Sequence, residues 1–280
     1  MKAIVLNLSA WAVLPFMDTI AKYLSAELTF FQITWARYFF TVFWTLPFMF
    51  FFFRKNLTWS ENPKLQILRG LTLLFANISF FYSISVISMA KALTLAFVAP
   101  LVTTALSPII LGEKVGIRRW TAVIVGFIGC LVVIRPGFIE FNLATIAALG
   151  TGCFYGVYLI ITRKLHTTDN PLLTLLITGV VGVVISSIFV FEVWINPTQI
   201  QWFWLALMGI FACLGHILLI YSLRYADASK LAPFGYFEII TNLILGYYFF
   251  KDFPDIWTFI GLFIIISSGI YIFNREIKFR

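Results

Sequence analysis

Charge is what this sequence lacks: only 11% of its 280 residues are charged, while 61% are hydrophobic. A soluble domain of that composition is excluded, because its solvated surface calls for about a quarter of the chain to be charged. Histidine and cysteine are scarce too, at two and three residues. Cys130, Cys153 and Cys213 all fall inside apolar stretches without metal-ligand spacing, so they read as small packing residues and no metal centre is expected. No His-rich box, paired-aspartate motif, Gly-rich phosphate loop or nucleophile elbow occurs. The absence of such motifs argues against a membrane enzyme and leaves no cofactor to expect. Nor is there a basic stripe interleaved with exposed aromatics, so nucleic acid is not an expected partner.

Long apolar runs are what the chain has instead. Ten stretches, 4–23, 30–53, 67–87, 92–111, 120–134, 143–162, 172–193, 202–223, 231–250 and 256–273, are predominantly apolar. At about 1.5 Å per helical residue, twenty residues cross a hydrocarbon core of about 30 Å. The expected fold is an all-α integral membrane protein of ten transmembrane helices. Connectors are short, 54–66 being the longest, and leave no room for an extramembrane domain. The run at 4–23 lacks a convincing small-residue cleavage site, so it reads as a retained first span.

Basic residues set the expected orientation. With a cytoplasmic amino terminus, the inner side holds Lys2, Arg54, Lys55, Lys64, Arg69, Lys114, Arg118, Arg119, Arg163, Lys164, Arg224, Lys230, Arg275, Lys278 and Arg280, fifteen of the twenty Lys and Arg. Lys22, Arg37, Lys91, Arg135 and Lys251 remain outside or at span ends. This bias places both termini in the cytoplasm of a multi-pass protein of the cell (inner) membrane. It also explains the net charge of +8 as attraction to anionic lipid headgroups.

The chain also resembles itself. A shift of 139 residues lays Tyr82, Ser83 and Lys91 on Tyr221, Ser222 and Lys230, and Glu113 on Asp252. Few other identities accompany these, but two units of five spans, 1–135 and 142–274, insert equivalent helices in opposite directions. Inverted repeats that open a midplane site to either side in turn are a common transporter plan.

Charges inside spans cost about 2.5–3.5 kcal/mol each at the bilayer centre and are the first candidates for function. Glu238, about nine residues past Ser229, is expected about 12 Å deep. It either binds a cationic group or carries a proton, or else it is a structural acid paired with a neighbouring helix. Asp18 and Arg37 have similar depths, and Lys22 shares a helical face with Asp18, so a local ion pair competes with an interhelical one. Packing and orientation is the favoured role for this trio, with gating as the alternative. His216 either relays protons with Glu238 or hydrogen-bonds within the bundle. Pro100 and Pro233 interrupt the fourth and ninth spans and permit kinks, Pro100 marking a candidate cavity wall.

Aromatic residues reach 19%, with phenylalanine the largest share. The run 50–53 reads as lipid-facing, and Trp59, Trp120, Trp194, Trp202 and Trp257 as interfacial anchors. Trp11, Trp35, Tyr82, Tyr155, Tyr158, Tyr221 and Tyr236 lie deeper and are candidates to line a pocket for a flat or cationic solute.

Ala90-Lys91, Pro100, Leu111-Gly112-Glu113-Lys114 and Arg118-Arg119-Trp120, followed by Gly126 and Gly129, resemble the first repeat of the EamA family of the drug/metabolite transporter superfamily. Ser229-Lys230, Leu245-Gly246-Tyr247, Phe250-Lys251-Asp252, Pro254 and Trp257, with Gly261 and Gly269, echo its second repeat. The stretches around Met17-Asp18 and Ala36-Arg37-Tyr38 are similar to a branch containing riboflavin and S-adenosylmethionine carriers. The resemblance implies ten helices as two inverted five-helix repeats, with spans five and ten outside a central cavity. It implies alternating-access transport of a small organic metabolite: an amino acid, flavin, nucleoside or S-adenosylmethionine-like solute, with proton or ion coupling open. Membrane lipids are the other expected partner, and the sequence carries no signal for oligomeric state. A lipid scramblase or flippase of similar fold is the alternative. Lys251-Asp252 departs from the Gly-Glu pair common at that place in the family, and Gly112-Glu113 is expected to end its span.

Overall fold

The computed structural model describes residues 2–53, 60–112, 116–135, 142–165, 170–225, 234–235 and 237–278. Among them form eleven α-helices, α1 (Lys2–Leu24), α2 (Phe30–Phe53), α3 (Pro63–Val86), α4 (Met89–Ala96), α5 (Ala99–Leu111), α6 (Ile117–Ile134), α7 (Leu143–Leu165), α8 (Pro171–Val190), α9 (Gln199–Tyr225), α10 (Phe237–Phe250) and α11 (Ile256–Lys278). By length and composition, six segments of the described chain are able to cross a membrane, and shorter apolar helices at Ile124–Ile134, Phe237–Phe250 and Ile256–Ser268 accompany them.

Local chemistry sets the helix ends. Ser88 caps α4 by accepting the Lys91 amide at 3.3 Å, and Asn170 caps α8 by accepting that of Leu172 at 2.9 Å, ahead of Pro171 in the first turn. Gly112 ends α5 at φ 69, a left-handed turn that glycine enters without strain, so the expected span end is found there. The residue 139 positions later, Lys251, ends α10 in the same left-handed region at φ 56. The departure from glycine in the second repeat therefore changes the side chain and keeps the backbone.

The expected fourth span, 92–111, is two helices. Pro100 has no amide hydrogen to give the Ala96 carbonyl, and a proline ring collides with the carbonyl four residues before it. The helix stops at Ala96 and restarts at Ala99, so Pro100 sits in a first turn, where no intrahelical donor is lost, rather than kinking a continuous helix. Of the expected ninth span, 231–250, α10 covers Phe237–Phe250, and 231–233 and 236 lie outside the described residues.

Packing joins helices distant in sequence. α1 lies on α9 and α10, α2 on α8 and α9, α3 on α7 and α8, α4 and α5 on α7, and α6 on α11. The last pair meets at reciprocal glycines: a methyl on Gly129 would come within 3.0 Å of the Gly261 carbonyl, and one on Gly261 within 2.7 Å of the Gly129 carbonyl. Small residues at such crossings let helices approach closely in lipid, where apolar burial gives them little drive to associate. Leu24, Ile33, Phe81, Leu95 and Leu205 fill the interior, whereas Ile124, Phe127, Val184, Ile188, Ile244 and Phe263 point outward. Apolar side chains facing out on so many helices suit a hydrocarbon solvent rather than water.

Candidate functional site

Arg37 on α2 is 2% exposed and has no carboxylate against it among the described residues. Its Nη2 lies 2.8 Å from His216 Nε2 on α9, and its Nε 3.2 Å from Met17 Sδ on α1. A guanidinium only donates, so Nε2 accepts and the imidazole of His216 is neutral, with its proton on Nδ1. Asp18, beside Met17, is buried and feels the charges of both Arg37 and Glu238. Glu238 is half-buried in the first turn of α10, where unpaired helix amides favour a carboxylate. Among the described residues neither acid accepts a hydrogen bond.

A second guanidinium lies across the bundle. Arg69 on α3, 1% exposed, donates to Thr162 Oγ1 at 2.7 Å, Thr178 Oγ1 at 2.8 Å and Tyr158 Oη at 2.8 Å. All of these partners are neutral, so its charge is held by oriented hydroxyls. Tyr158 stacks on Tyr155 with ring centroids 5.3 Å apart, and Tyr155 is close enough to feel the charges of Glu238, Arg37 and Arg69. Asn77 donates to Tyr38 Oη at 2.9 Å behind them. Two buried arginines, two acids without hydrogen-bond donors and a tyrosine stack thus share one interior region fed by α1, α2, α3, α7, α9 and α10.

Of the residues expected in a site, Glu238, Asp18, Arg37, His216, Tyr155 and Tyr158 come together. Trp11 lies beside them at one remove: its ring packs near Gly235, and its Nε1 donates to Asn7 at 3.0 Å. His216 is engaged by Arg37, the hydrogen bond within the bundle that was one of its two expected roles. Lys22 does not pair with Asp18 on its own helix. It bridges to Asp252, beyond the end of α10, which joins the two halves of the chain. Tyr82 is at the far end of α3 against Phe30, with centroids 5.2 Å apart, and Trp35 donates to Ser187 at 2.9 Å, both apart from the cluster. Tyr221 is half-buried five residues beyond His216, and Lys91 is half-buried near Asp255 and Arg135. Cys153 is exposed on α7 rather than packed, unlike Cys130 and Cys213. Tyr236, Lys230 and Pro233 lie outside the described residues.

Sequence reasoning missed Arg69 as a site residue. It assigned Arg69 to a helix end because the apolar run was read from 67, whereas α3 starts at Pro63 and carries Arg69 into its second turn. The Lys-Leu-Gln before it is polar but helical, and periodicity through Gln66 was the available signal. Asn242, 1% exposed on α10, was missed as well, since a lone amide in an apolar run is a weak signal.

Many apolar faces turned outward around an interior of charged and aromatic side chains, with a broken helix beside them, define a multi-pass membrane transporter rather than an enzyme. The EamA-like transporter family matches residues 1–135 and again 142–274, and the chain belongs to that family. An S-adenosylmethionine uptake transporter of Rickettsia prowazekii is 30% identical over 264 residues, covering 93% of this chain and 88% of its own. That of Rickettsia bellii is 30% identical over 261 residues, with shares of 93% and 89%. A riboflavin transporter of Vibrio cholerae is 30% identical over 194 residues, 67% of this chain and 63% of its own. A crystallised protein shares the fold, at a TM-score of 0.66 and 14% identity over 96% of both chains.

Proposed function

We propose that the chain is an alternating-access carrier for a cationic, ring-bearing small metabolite of the S-adenosylmethionine kind. Two inverted five-helix halves in the cell (inner) membrane, with both termini cytoplasmic, are the moving parts of this reading. The observation that carries it is the pair of acids, Asp18 and Glu238, which feel each other's charge without hydrogen-bond donors among the described residues, with Glu238 near Tyr155 of the Tyr155–Tyr158 stack. A solute ammonium or sulfonium supplies the missing positive partner, and tyrosine faces accept a flat ring. The S-adenosylmethionine relatives' name supports that class of solute, and the riboflavin relative's name supports the ring but not the charge.

Several regularities support the two halves. α1 and α7 begin and end 141 residues apart, and so do the starts of α2 and α8. Exchanging the first five spans for the second turns the α1–α9 packing into α7–α3, α2–α9 into α8–α3, and α1–α10 into α7 against α4 and α5. The α2–α8 and α6–α11 pairs map onto themselves. A twofold relation requires all of these. At one end of the bundle the halves are tied by Lys22 to Asp252, by Gln201 Nε2 to Glu27 at 2.5 Å and by Gln32 Nε2 to the Ile195 carbonyl at 2.7 Å. At the other, Asn7 donates to Ser222 at 3.2 Å and Lys2 to Tyr225 at 3.3 Å. Opening to either side requires the ties of that side to part.

Uptake of labelled S-adenosylmethionine into proteoliposomes tests the reading. Glu238→Gln is expected to abolish uptake while thermal unfolding in detergent stays near that of the parent. Uptake and pH dependence unchanged in that variant remove Glu238 from the mechanism. Fast flipping of labelled lipid in the same vesicles, without solute uptake, replaces the carrier with a scramblase.

A further inference from the structure

Arg37 and Arg69 are both buried, but their donors are spent differently. Arg69 gives four hydrogen bonds, to the hydroxyls of Thr162, Thr178 and Tyr158 and to the Thr174 carbonyl. Arg37 turns Nε to Met17 Sδ at 3.2 Å and Nη2 to His216 Nε2 at 2.8 Å. The Tyr38 ring lies 4.7 Å from its Cζ, with the hydroxyl near enough to feel the charge. A thioether, a neutral imidazole and a phenol leave at least two of the five N–H groups without an acceptor among the described residues. A guanidinium 2% exposed with donors unspent calls for an acceptor that carries charge.

Asp18 lies beside it without meeting that need. It follows Met17 in the chain, is 3% exposed and feels the charge of Arg37, yet no ion pair joins the two among the described residues. An acid and a base side by side and unbonded are the complement of a group with both charges on neighbouring atoms. An α-amino acid end is such a group, its ammonium to Asp18 and its carboxylate to Arg37. The planar carboxylate suits the guanidinium fork, which a lysine does not reproduce. The cluster is not closed packing, since Glu238 and Tyr155 are only half-buried and none of the buried atoms without a partner belongs to Arg37, Asp18 or Glu238.

We infer that Arg37 and Asp18 hold the α-amino acid end of the solute, Arg37 through its carboxylate. Glu238 and the Tyr155–Tyr158 stack are left for the second cationic centre and the ring, because Tyr155 is within reach of the Glu238 charge and stacks on Tyr158 at 5.3 Å. The assignment rests on the solute class proposed above and deepens it: the cargo carries an anion as well as its cations.

Binding is read apart from transport by ligand-induced thermal shift of the full chain in detergent. S-adenosylmethionine is titrated against its decarboxylated form, which keeps the ammonium, the sulfonium and the adenine and lacks only the carboxylate. The parent is expected to bind the carboxylate-bearing ligand about tenfold more tightly, the worth of a hydrogen bond to a charged group. That ratio is expected to fall to near one in Arg37→Gln and to an intermediate value in Arg37→Lys. Equal Kd for the two ligands in the parent, or an unchanged ratio in both variants, overturns the assignment. So does a variant folded like its parent that binds neither ligand, or loss of folding in both, which makes Arg37 a packing residue. Binding of neither ligand by the parent removes the solute class and the assignment with it, whereas binding without uptake into proteoliposomes removes the carrier and leaves the assignment standing.

Discussion

Gly152→Ala and Gly150→Ala, two residues apart on α7, are expected to change stability in different measure. A methyl on Gly152 would lie 2.6 Å from the Ala96 carbonyl and 2.3 Å from Val98 Cγ1, at the break between α4 and α5. On Gly150 its nearest neighbour is Ser79 Oγ at 3.8 Å, an ordinary contact. Both substitutions gain about 1 kcal/mol of helix propensity, which cancels when the two are compared. What is left is overpacking at Gly152, about 1–3 kcal/mol. Beside the Val98 methyl, the obstacle there is the Ala96 carbonyl, which is backbone and cannot swing aside as a side chain does. The upper half of that range follows, which corresponds to a Tm about 5 °C lower for Gly152→Ala than for Gly150→Ala. Thermal unfolding of both proteins in one detergent measures the difference. Equal midpoints, or a Gly152→Ala protein as stable as its parent, refute the claim that α7 is moulded to the broken span.

Lys251 holds a left-handed backbone that costs a side-chain-bearing residue about 1–2 kcal/mol, so Lys251→Gly is expected to stabilise the protein by up to about 1 kcal/mol once the entropy of glycine is set against it. A lower denaturation midpoint in detergent titration contradicts this. Asp255 lies outside the spans, ahead of α11. Burial raises its carboxyl, but hydrogen bonds from the Thr258 hydroxyl and amide and the charge of Arg135 outweigh burial and hold it below the usual aspartate range. A depressed group contributes stability above its unfolded value of about 3.9 and loses it as the pH falls through the folded one. Asp255→Asn is therefore expected to flatten the fall of Tm on acidification below about pH 4, and an unaltered acid limb counts against the Arg135–Asp255–Thr258 arrangement.

Much of the carrier was legible in the chain. Apolar runs of bilayer length and the scarcity of charge mark a membrane protein, because no other solvent tolerates such a surface. Glu238, Asp18, Arg37 and His216 were legible as candidates for the same reason in reverse: each is costly in lipid and needs a purpose. Partners were not legible. A helix-face argument offered Lys22 to Asp18, whereas folding gave it to Asp252; a hydrogen bond within the bundle was one of two readings of His216, but its partner, Arg37, 179 residues away in the chain, was not legible. Arg69 escaped notice because a polar helix start and a connector look alike until the helix is seen to begin.

The sequence by itself determined the solvent, the helical class and the costly groups, since each of these depends on composition and on spacing within one span. Tertiary structure decided which acids lack a donor among the described residues, which arginine meets which hydroxyl, and that Asn242, Thr94 and Thr258 line one crevice. Those are distances between helices far apart in the chain. Side-chain volume at the crossings fixes them, and no periodicity within a single helix carries that information.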